Sequence, residues 1–300
     1  MSATEPPAGR EGDGSVSGQP APAPDSSASA FRRASEEGRG ALVGYLPVGY
    51  PSVPGSLAAL KALCGEGGEG PGVDLVEVGL PYSDPMMDGP VIQQAGTRAL
   101  ARGVRNRDVF AAVEAVRSTG TPAVVMTYWN LVDRYGVEAF ARDLANAGGS
   151  GLITPDLIPD EAAEWLDASD AHGLDRIFLV SPSSTDSRIA STTRACRGWV
   201  YATAVMGVTG TRSASPTAAP ELVARIRELS PQTLVGVGLG VSTGDQAADV
   251  VGYADAVIVG SAFIKPMLAA EADGNPDDLS GLRAVLADLA SGVRRARHDA

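Results

Sequence analysis

Along most of the chain, short runs that are apolar throughout alternate with longer segments in which apolar residues recur every three or four positions. The short runs are typical of buried β-strands, and the longer segments are typical of amphipathic helices. Helical patterns of this kind include SLAALKAL, NRDVFAAVEAVRS and APELVARIREL. The pattern predicts eight strands, at residues 41–47, 73–79, 123–129, 151–155, 176–182, 199–205, 234–240 and 256–262.

Strands that are apolar on both faces and alternate with helices indicate a parallel sheet covered by those helices. Eight such units predict an α/β fold of the (β/α)8 TIM barrel type in a single domain, and 300 residues suit that size. A doubly wound open sheet is the alternative, but no G-x-G-x-x-G follows the first strand. In a barrel, the active site is built at the carboxyl ends of the strands.

Residues 1–30 differ from the rest, because they are rich in Ala, Pro, Gly and Ser and poor in bulky apolar residues. Such a composition cannot bury enough surface to offset the entropy of ordering, so we expect a disordered extension before a barrel domain at 31–300. A short helix is expected from Phe31 to Gly38. The extension has no apolar block of the kind found in signal peptides.

The charge and the rarer residue types narrow the function further. A net charge of −12 and a pI near 4.6 argue against nucleic acid or an anionic membrane surface as a partner. Two cysteines, Cys64 and Cys196, without C-x-x-C spacing indicate reduced thiols in a cytosolic protein. The only histidines are His172 and His298, which disfavours a serine-hydrolase triad or a zinc site.

The stretch from Val73 to Pro90, VDLVEVGLPYSDPMMDGP, combines an apolar strand with three carboxylates. Glu77 lies between valines, and Asp84 and Asp88 follow in a loop. Burial should raise the pKa of Glu77 toward neutrality, whereas Asp88 in a wetter loop should stay ionised, which is the pattern of an acid/base site. Alternatively, Glu77 faces solvent on an edge strand and both aspartates are ordinary turn formers.

Other strand ends carry aromatic residues and glycines. Tyr45, Tyr128 and Tyr201 could wall a pocket for a flat ring. Each taken singly is more often a core residue, and it is their common placement at strand ends that favours the pocket. Gly-rich loops follow the last three predicted strands, at 206–213, 237–246 and 259–263. Glycines let the backbone approach a ligand, and Ser242 and Ser261 could add hydroxyls or helix caps, so these loops are candidates for holding phosphate.

The predicted site therefore joins two carboxylates, an aromatic slot and a phosphate cradle. No metal or nucleotide motif is evident, and neither lysine, Lys61 nor Lys265, is placed like a Schiff-base residue. Proton transfer on a phosphorylated substrate with a flat ring is typical of a lyase or an isomerase.

One segment, VEVGLPYSDPMMDGPVIQQA, resembles the signature of the tryptophan synthase alpha subunit family. The resemblance extends from about Phe31 to the C-terminus, through GYLPVGYPS, MTYWN, PDLIPDEA, GVTGTR, VGLGVST and VGSAFIK in the same order. Three positions depart from the family pattern. These are Tyr50, where many members have an acid, Leu239, where an aromatic residue is common, and Trp129, where smaller residues occur.

The resemblance implies retro-aldol cleavage of indole-3-glycerol phosphate to indole and glyceraldehyde 3-phosphate. In it, Glu77 would be the acid/base, Asp88 would accept the indole N–H, and Thr209 would also position the Asp88 loop. The substrate pocket would comprise Tyr45, Ile92, Met126, Tyr128, Ile153, Tyr201 and Thr209. The phosphate would be held by Gly210, Leu239, Gly240, Gly260 and Ser261, and no metal is implied.

The resemblance also implies a cytoplasmic α2β2 tetramer with a beta subunit that binds pyridoxal phosphate, and no cofactor in this chain. Met86 and Met87 could contact that partner, or could simply pack under their loop. Two other functions remain open at this point: a free-standing indole-3-glycerol phosphate lyase, and a noncatalytic barrel that activates a partner subunit.

Overall fold

The computed structural model describes residues 26–203 and 217–296 of the 300-residue chain. Within these residues, all the paired strands are parallel and belong to one sheet. The strands are β1 Ala41–Pro47, β2 Leu75–Gly79, β3 Ala123–Met126, β4 Gly151–Ile153, β5 Asp175–Ile177, β6 Leu179–Val180, β7 Val200–Thr203, β8 Val235–Gly238 and β9 Ala256–Val259.

Helices follow most of the strands and cover the outside of the sheet. They are α1 Ala28–Glu36, α2 Val53–Leu63, α3 Pro90–Ala101, α4 Asn106–Arg117, α5 Trp129–Tyr135, α6 Val137–Asn146, α7 Ala163–Ala171, α8 Asp186–Ala195, α9 Ala218–Leu229, α10 Gly244–Val251, α11 Ser261–Ala272 and α12 Ser280–Arg295. A short 3-10 helix spans Pro159–Glu161. No helix in the described parts of the chain is both long and apolar enough to cross a membrane.

The sheet closes on itself, which confirms the predicted TIM barrel. Its strand order is β5-β4-β3-β2-β1-β9-β8-β7-β6. The two strands at the ends of this order, β5 and β6, are separated in the chain by Phe178 alone. Ile177 pairs with β4 and Leu179 pairs with β7, so a single predicted strand, 176–182, is split where it changes neighbours. The eight predicted strands therefore correspond to nine observed segments.

The strands form because their side chains are buried on both faces. Every residue of β1, β2, β4 and β9 is buried. One set of side chains, including Val43, Leu75 and Val124, fills the barrel interior. The other set, including Leu42 and Val76, packs against the surrounding helices. The interior packing occupies the middle of the barrel and leaves the carboxyl ends of the strands free to carry a site.

Helix α1 packs against the interior residues of the barrel at the amino ends of the strands. Phe31 contacts Trp199, with ring centroids 5.1 Å apart, and Ser27 donates its backbone N–H and its hydroxyl to the buried carboxylate of Asp175 at 2.7 and 2.6 Å. The helix begins at Ala28 and ends at Glu36, so the helix expected at residues 31–38 starts three residues earlier and ends two residues earlier than predicted. Residues 1–25, the rest of the expected extension, lie outside the described residues.

Candidate active site

Glu77 lies in the middle of β2, between Tyr45 of β1 and Val124 of β3. Glu77 is only 2% exposed, and its Oε2 atom has no hydrogen-bond partner among the described residues. Burial, followed by the nearby charge of Asp88, raises the pKa of Glu77 to about 8. The alternative of a solvent-facing edge residue is therefore wrong. A carboxyl group in this setting is protonated at neutral pH and can donate a proton.

Asp88 lies at the end of the loop that leads from β2 into α3 and is half-buried. Tyr128 donates its hydroxyl to Asp88 Oδ1 at 3.3 Å, and Gln93 donates its amide to the Asp88 carbonyl at 2.9 Å. Burial raises the pKa of Asp88 to about 6, and the hydrogen bond from Tyr128 opposes that rise. Asp88 is thus less exposed to solvent than the sequence predicted. At neutral pH it is still mainly ionised, whereas Glu77 is mainly protonated.

A cavity with about 820 Å³ of empty space, part of it open to solvent, lies over both carboxylates at the carboxyl ends of the strands. Its wall is largely apolar, which suits a flat ring more than a sugar or a nucleotide chain. The wall is formed by Tyr45, Glu77, Met87, Asp88, Ile92, Met126, Ile153, Pro155, Leu179, Tyr201, Thr203, Gly238, Leu239, Gly240, Ile258, Gly260 and Ser261.

Two tyrosines of the cavity wall fit because glycines on the neighbouring strands leave them room. A Cβ atom at Gly79 would lie 2.4 Å from the Tyr45 hydroxyl, and one at Gly238 would lie 2.3 Å from the Tyr201 hydroxyl. Burial raises the pKa of both phenols well above the usual range, with further contributions from the charges of Glu77 and Asp88. Both tyrosines therefore stay neutral where they line the cavity.

Another part of the cavity wall consists of backbone that follows the ends of β8 and β9. Gly240 has a φ of +79°, a conformation that favours glycine, and has open space where a side chain would be. Gly260 precedes Ser261, the first residue of α11. The first N–H groups of a helix have no partner within the helix and attract anions. Ser242 is not on the wall, and its hydroxyl and N–H both donate to the Gln246 side chain.

Most residues that the sequence and the resemblance proposed lie on this wall. Tyr128 is an exception, because it lies behind Asp88 and does not line the cavity. Thr209 and Gly210 lie outside the described residues. The wall also includes residues that were not expected: Met87, Pro155, Leu179, Thr203, Gly238 and Ile258. Several of these lie at strand ends, and that position is the feature of the sequence from which they could have been predicted.

Of the three positions that depart from the family pattern, Leu239 lies on the cavity wall and the other two do not. Tyr50 is buried and donates its hydroxyl at 2.6 Å to Glu271, which is also paired with Arg98 and Arg102. An acid at position 50 would repel Glu271, whereas a tyrosine adds a hydrogen bond. Trp129 begins α5 and does not line the cavity.

The charges of the site limit its chemistry. Among the described wall residues there is no lysine, arginine or histidine. Within the described part of the chain, no group of three or more His, Cys, Asp or Glu side chains is arranged to hold a metal ion. The arrangement can donate a proton from Glu77, accept a hydrogen bond at Asp88 and bind an anion through backbone N–H groups.

Comparison with known proteins decides the family. A sequence model described as "Tryptophan synthase alpha chain" matches residues 31–293. This chain belongs to the tryptophan synthase alpha chain family. A family member from Salinispora arenicola is 59% identical over 269 residues, which cover 90% of this chain and 98% of the relative. The alpha chain of Mycobacterium avium is 59% identical over 265 residues, covering 88% and 93%.

Solved structures of tryptophan synthase have a similar fold. A structure of Mycobacterium tuberculosis tryptophan synthase matches with a TM-score of 0.81 and 56% identity, covering 89% of this chain and 97% of that one. A mutant tryptophan synthase alpha-subunit from Pyrococcus furiosus matches with a TM-score of 0.74 and 29% identity, covering 84% and 98%. The resemblance noted in the sequence is confirmed, and the alpha chain is a lyase of tryptophan biosynthesis.

Proposed function

We propose that this alpha chain cleaves indole-3-glycerol phosphate into indole and glyceraldehyde 3-phosphate, with Glu77 and Asp88 as its acid/base pair. The observation that carries the proposal is the buried, unpaired carboxyl of Glu77, which faces an apolar cavity whose other carboxylate is Asp88. Their surroundings give Glu77 a pKa of about 8 and Asp88 a pKa of about 6. At neutral pH, Glu77 can therefore act as an acid while Asp88 is an anion.

Glu77 acts first as an acid and then as a base. Its carboxyl proton goes to the indole carbon that bears the glycerol chain, which leaves positive charge at the ring nitrogen. The Glu77 carboxylate then takes the proton of the adjacent glycerol hydroxyl. The carbon–carbon bond breaks, its electron pair returns to the ring, and an aldehyde forms. Glu77 is protonated again at the end, so the step balances without an external acid or base.

Asp88 and the two ends of the cavity support this step. The Asp88 carboxylate accepts the ring N–H and stabilises the positive charge that develops there. The apolar wall around Met126, Ile153 and Ile258 suits the ring. The phosphate fits against Gly240 and the amino end of α11, where N–H groups and Ser261 are available and no basic side chain is required. Thr209 and Gly210 remain proposed contacts.

The proposal includes a beta subunit as partner in an α2β2 tetramer, pyridoxal phosphate in that subunit, and no cofactor in this chain. It is supported by the match to a structure of tryptophan synthase, the enzyme as a whole. Met86, 66% exposed, and Ile158, 40% exposed, lie in loops at the carboxyl ends of the strands, as a partner surface there would require. The free thiols of Cys64 and Cys196 agree with the proposed cytoplasmic location.

A cleavage assay with the purified chain, alone and with a beta subunit, tests this function. We expect slow formation of glyceraldehyde 3-phosphate by the chain alone and faster formation with the beta subunit. Glu77→Gln should abolish cleavage in both cases and leave the circular dichroism spectrum unchanged. Glu69→Gln, a change of the same kind at an exposed glutamate, is the matched control and should cleave normally.

The outcomes separate the competing functions. Undiminished cleavage by Glu77→Gln would remove Glu77 from the mechanism. Cleavage that the beta subunit does not stimulate would favour a free-standing lyase. A chain that activates the beta subunit but never cleaves the substrate would be a noncatalytic activator, and the proposed activity would be wrong.

A further inference from the structure

We infer that Tyr128 is a positioning residue that holds the Asp88 carboxylate in place before substrate arrives, and that Tyr82 and Asn130 hold Tyr128. The inference rests on the proposed function, in which Asp88 binds the substrate ring. We call Tyr82, Tyr128 and Asn130 the loop clamp. It gives Tyr128 a different position and task from the pocket-wall residue that the resemblance implied.

A single hydroxyl group links two consecutive residues of the Asp88 loop. The Met87 backbone N–H donates to Tyr128 Oη at 2.9 Å, and the same hydroxyl donates to Asp88 Oδ1 at 3.3 Å. The accepted bond fixes the backbone just before Asp88, and the donated bond fixes the carboxylate itself. Together the two bonds restrain both the backbone and the side chain at this end of the loop.

Tyr128 is itself held rigidly. It is only 2% exposed and precedes α5 with extended backbone angles of φ −76° and ψ 142°. Its ring stacks on Tyr82, with centroids 5.2 Å apart and 28° between the ring planes. Tyr82 accepts a hydrogen bond at 3.3 Å from the Asn130 side chain. The turn after β3 therefore contacts the Asp88 loop at both its beginning and its end.

The groups around Asp88 show why Tyr128 matters among them. Glu77 of β2, Tyr45 of β1, Tyr128 and Tyr201 of β7 all interact electrostatically with the Asp88 charge. Of these, Tyr128 is the group whose hydroxyl donates a hydrogen bond to the carboxylate, and this bond holds the pKa of Asp88 down against the effect of burial. Loss of that hydroxyl should move Asp88 toward its neutral form as well as loosen it.

The clamp leaves room for substrate. A carboxylate has two oxygens and about four acceptor positions, so Asp88 can accept the Tyr128 hydroxyl and a ring N–H together. A carboxylate already oriented for that second bond needs less ordering when the ring binds. The clamp is thus a device for preorganisation in the proposed reaction.

Tyr128→Phe is the test, because it keeps the stacked ring and removes only the hydroxyl. We expect kcat/KM to fall about tenfold and its acid limb to move upward by about half to one pH unit. We also expect hydrogen exchange of the Met87 amide to become about three- to tenfold faster, since its acceptor is gone. Tyr82→Leu, which removes the stacked ring, should speed the same exchange.

Tyr135→Phe is the matched control. Tyr135 ends α5, and its hydroxyl donates to the Asp143 carboxylate at 2.6 Å, so the variant loses the same kind of bond away from the cavity. It should change neither the acid limb nor the exchange of the Met87 amide. A Tyr128 that acts only through the packing of its ring would leave both the acid limb and the Met87 exchange unchanged in Tyr128→Phe, and that result would overturn the inference.

Amide exchange requires no turnover, so the two proposals can fail separately. If the wild-type chain cleaves nothing but Met87 exchange responds to Tyr128→Phe, the clamp stands and the proposed activity is wrong. If cleavage is normal in Tyr128→Phe, with an unmoved acid limb and unchanged Met87 exchange, the activity stands and the clamp is wrong.

Discussion

Replacing Glu77 by glutamine should stabilise the folded chain while it removes activity. In the wild type, burial raises the pKa of Glu77 to about 8 from the ordinary value of 4.5. Between those two pH values, the unfolded chain has released this proton and the folded chain still holds it. Because the unfolded state then binds fewer protons, the stability of the wild type falls as pH rises through this range. A glutamine side chain has nearly the same shape but does not ionise, so its stability has no such dependence on pH.

The size of the effect follows from the interval between the two pKa values. Each pH unit within the interval costs the wild type about 1.4 kcal/mol, so the glutamine variant should gain about 3 kcal/mol at pH 7. At pH 8 and above the gain levels off near 5 kcal/mol by the same reasoning. These are upper limits, because water entering the cavity would reduce the cost of ionising Glu77. At pH 4.5 the gain should vanish.

Urea unfolding at a series of pH values measures this directly. We expect the difference in the free energy of unfolding between Glu77→Gln and wild type to grow from about pH 5 to pH 8 and then level off. Glu69→Gln, at an exposed site, should stay within about 0.5 kcal/mol of wild type throughout. A Glu77→Gln difference that does not depend on pH would refute the idea that Glu77 is held protonated by burial.

Three further predictions concern activity. The pH profile of kcat/KM should be bell-shaped, with an acid limb near 6 where Asp88 must ionise and an alkaline limb near 8 where Glu77 must keep its proton, and a profile with one limb would contradict the division of roles. Ser261→Asp should raise KM at least about fivefold through charge repulsion, and an unchanged KM would count against the phosphate position. Gly238→Ala should cost about 1–3 kcal/mol of folding stability and lower kcat/KM, because its Cβ would lie 2.3 Å from the Tyr201 hydroxyl and displace that ring. A crystal structure of the variant with an unmoved ring would contradict this prediction.

Much of the fold could be predicted because burial on both faces leaves a clear mark on a strand. The residues of β1 and β2 are all buried and almost all apolar, so those strands stand out from the helices around them. The division at Phe178 leaves no such mark, because it depends on which neighbour each half of the strand pairs with. The start of α1 was also hidden, since its Ser- and Ala-rich sequence resembles a linker and gains stability from Asp175 far along the chain.

The candidate site was predictable where a residue contradicts its surroundings. Glu77 is a charged residue in an apolar strand, and that contradiction pointed to the cavity. The position of Tyr128 was not predictable, because the turn after β3 decides whether its ring faces the cavity or the Asp88 loop. Cavity residues such as Leu179 and Ile258 are ordinary strand residues, and only the closed barrel reveals that they meet.

The attachment of α1 bears on how the chain folds as it is synthesised. Trp199 donates its ring N–H to the Ser27 hydroxyl at 3.0 Å across 172 residues of sequence. At the usual rate of translation, roughly 10 to 30 seconds separate the appearance of these two residues. Helix α1, the first helix in the described part of the chain, therefore leaves the ribosome well before Asp175 and Trp199 are available to bind Ser27. The amino end of the barrel is therefore completed late. Ribosomes that stall before Trp199 hold nascent chains in which α1 has not yet bound Trp199 at this end.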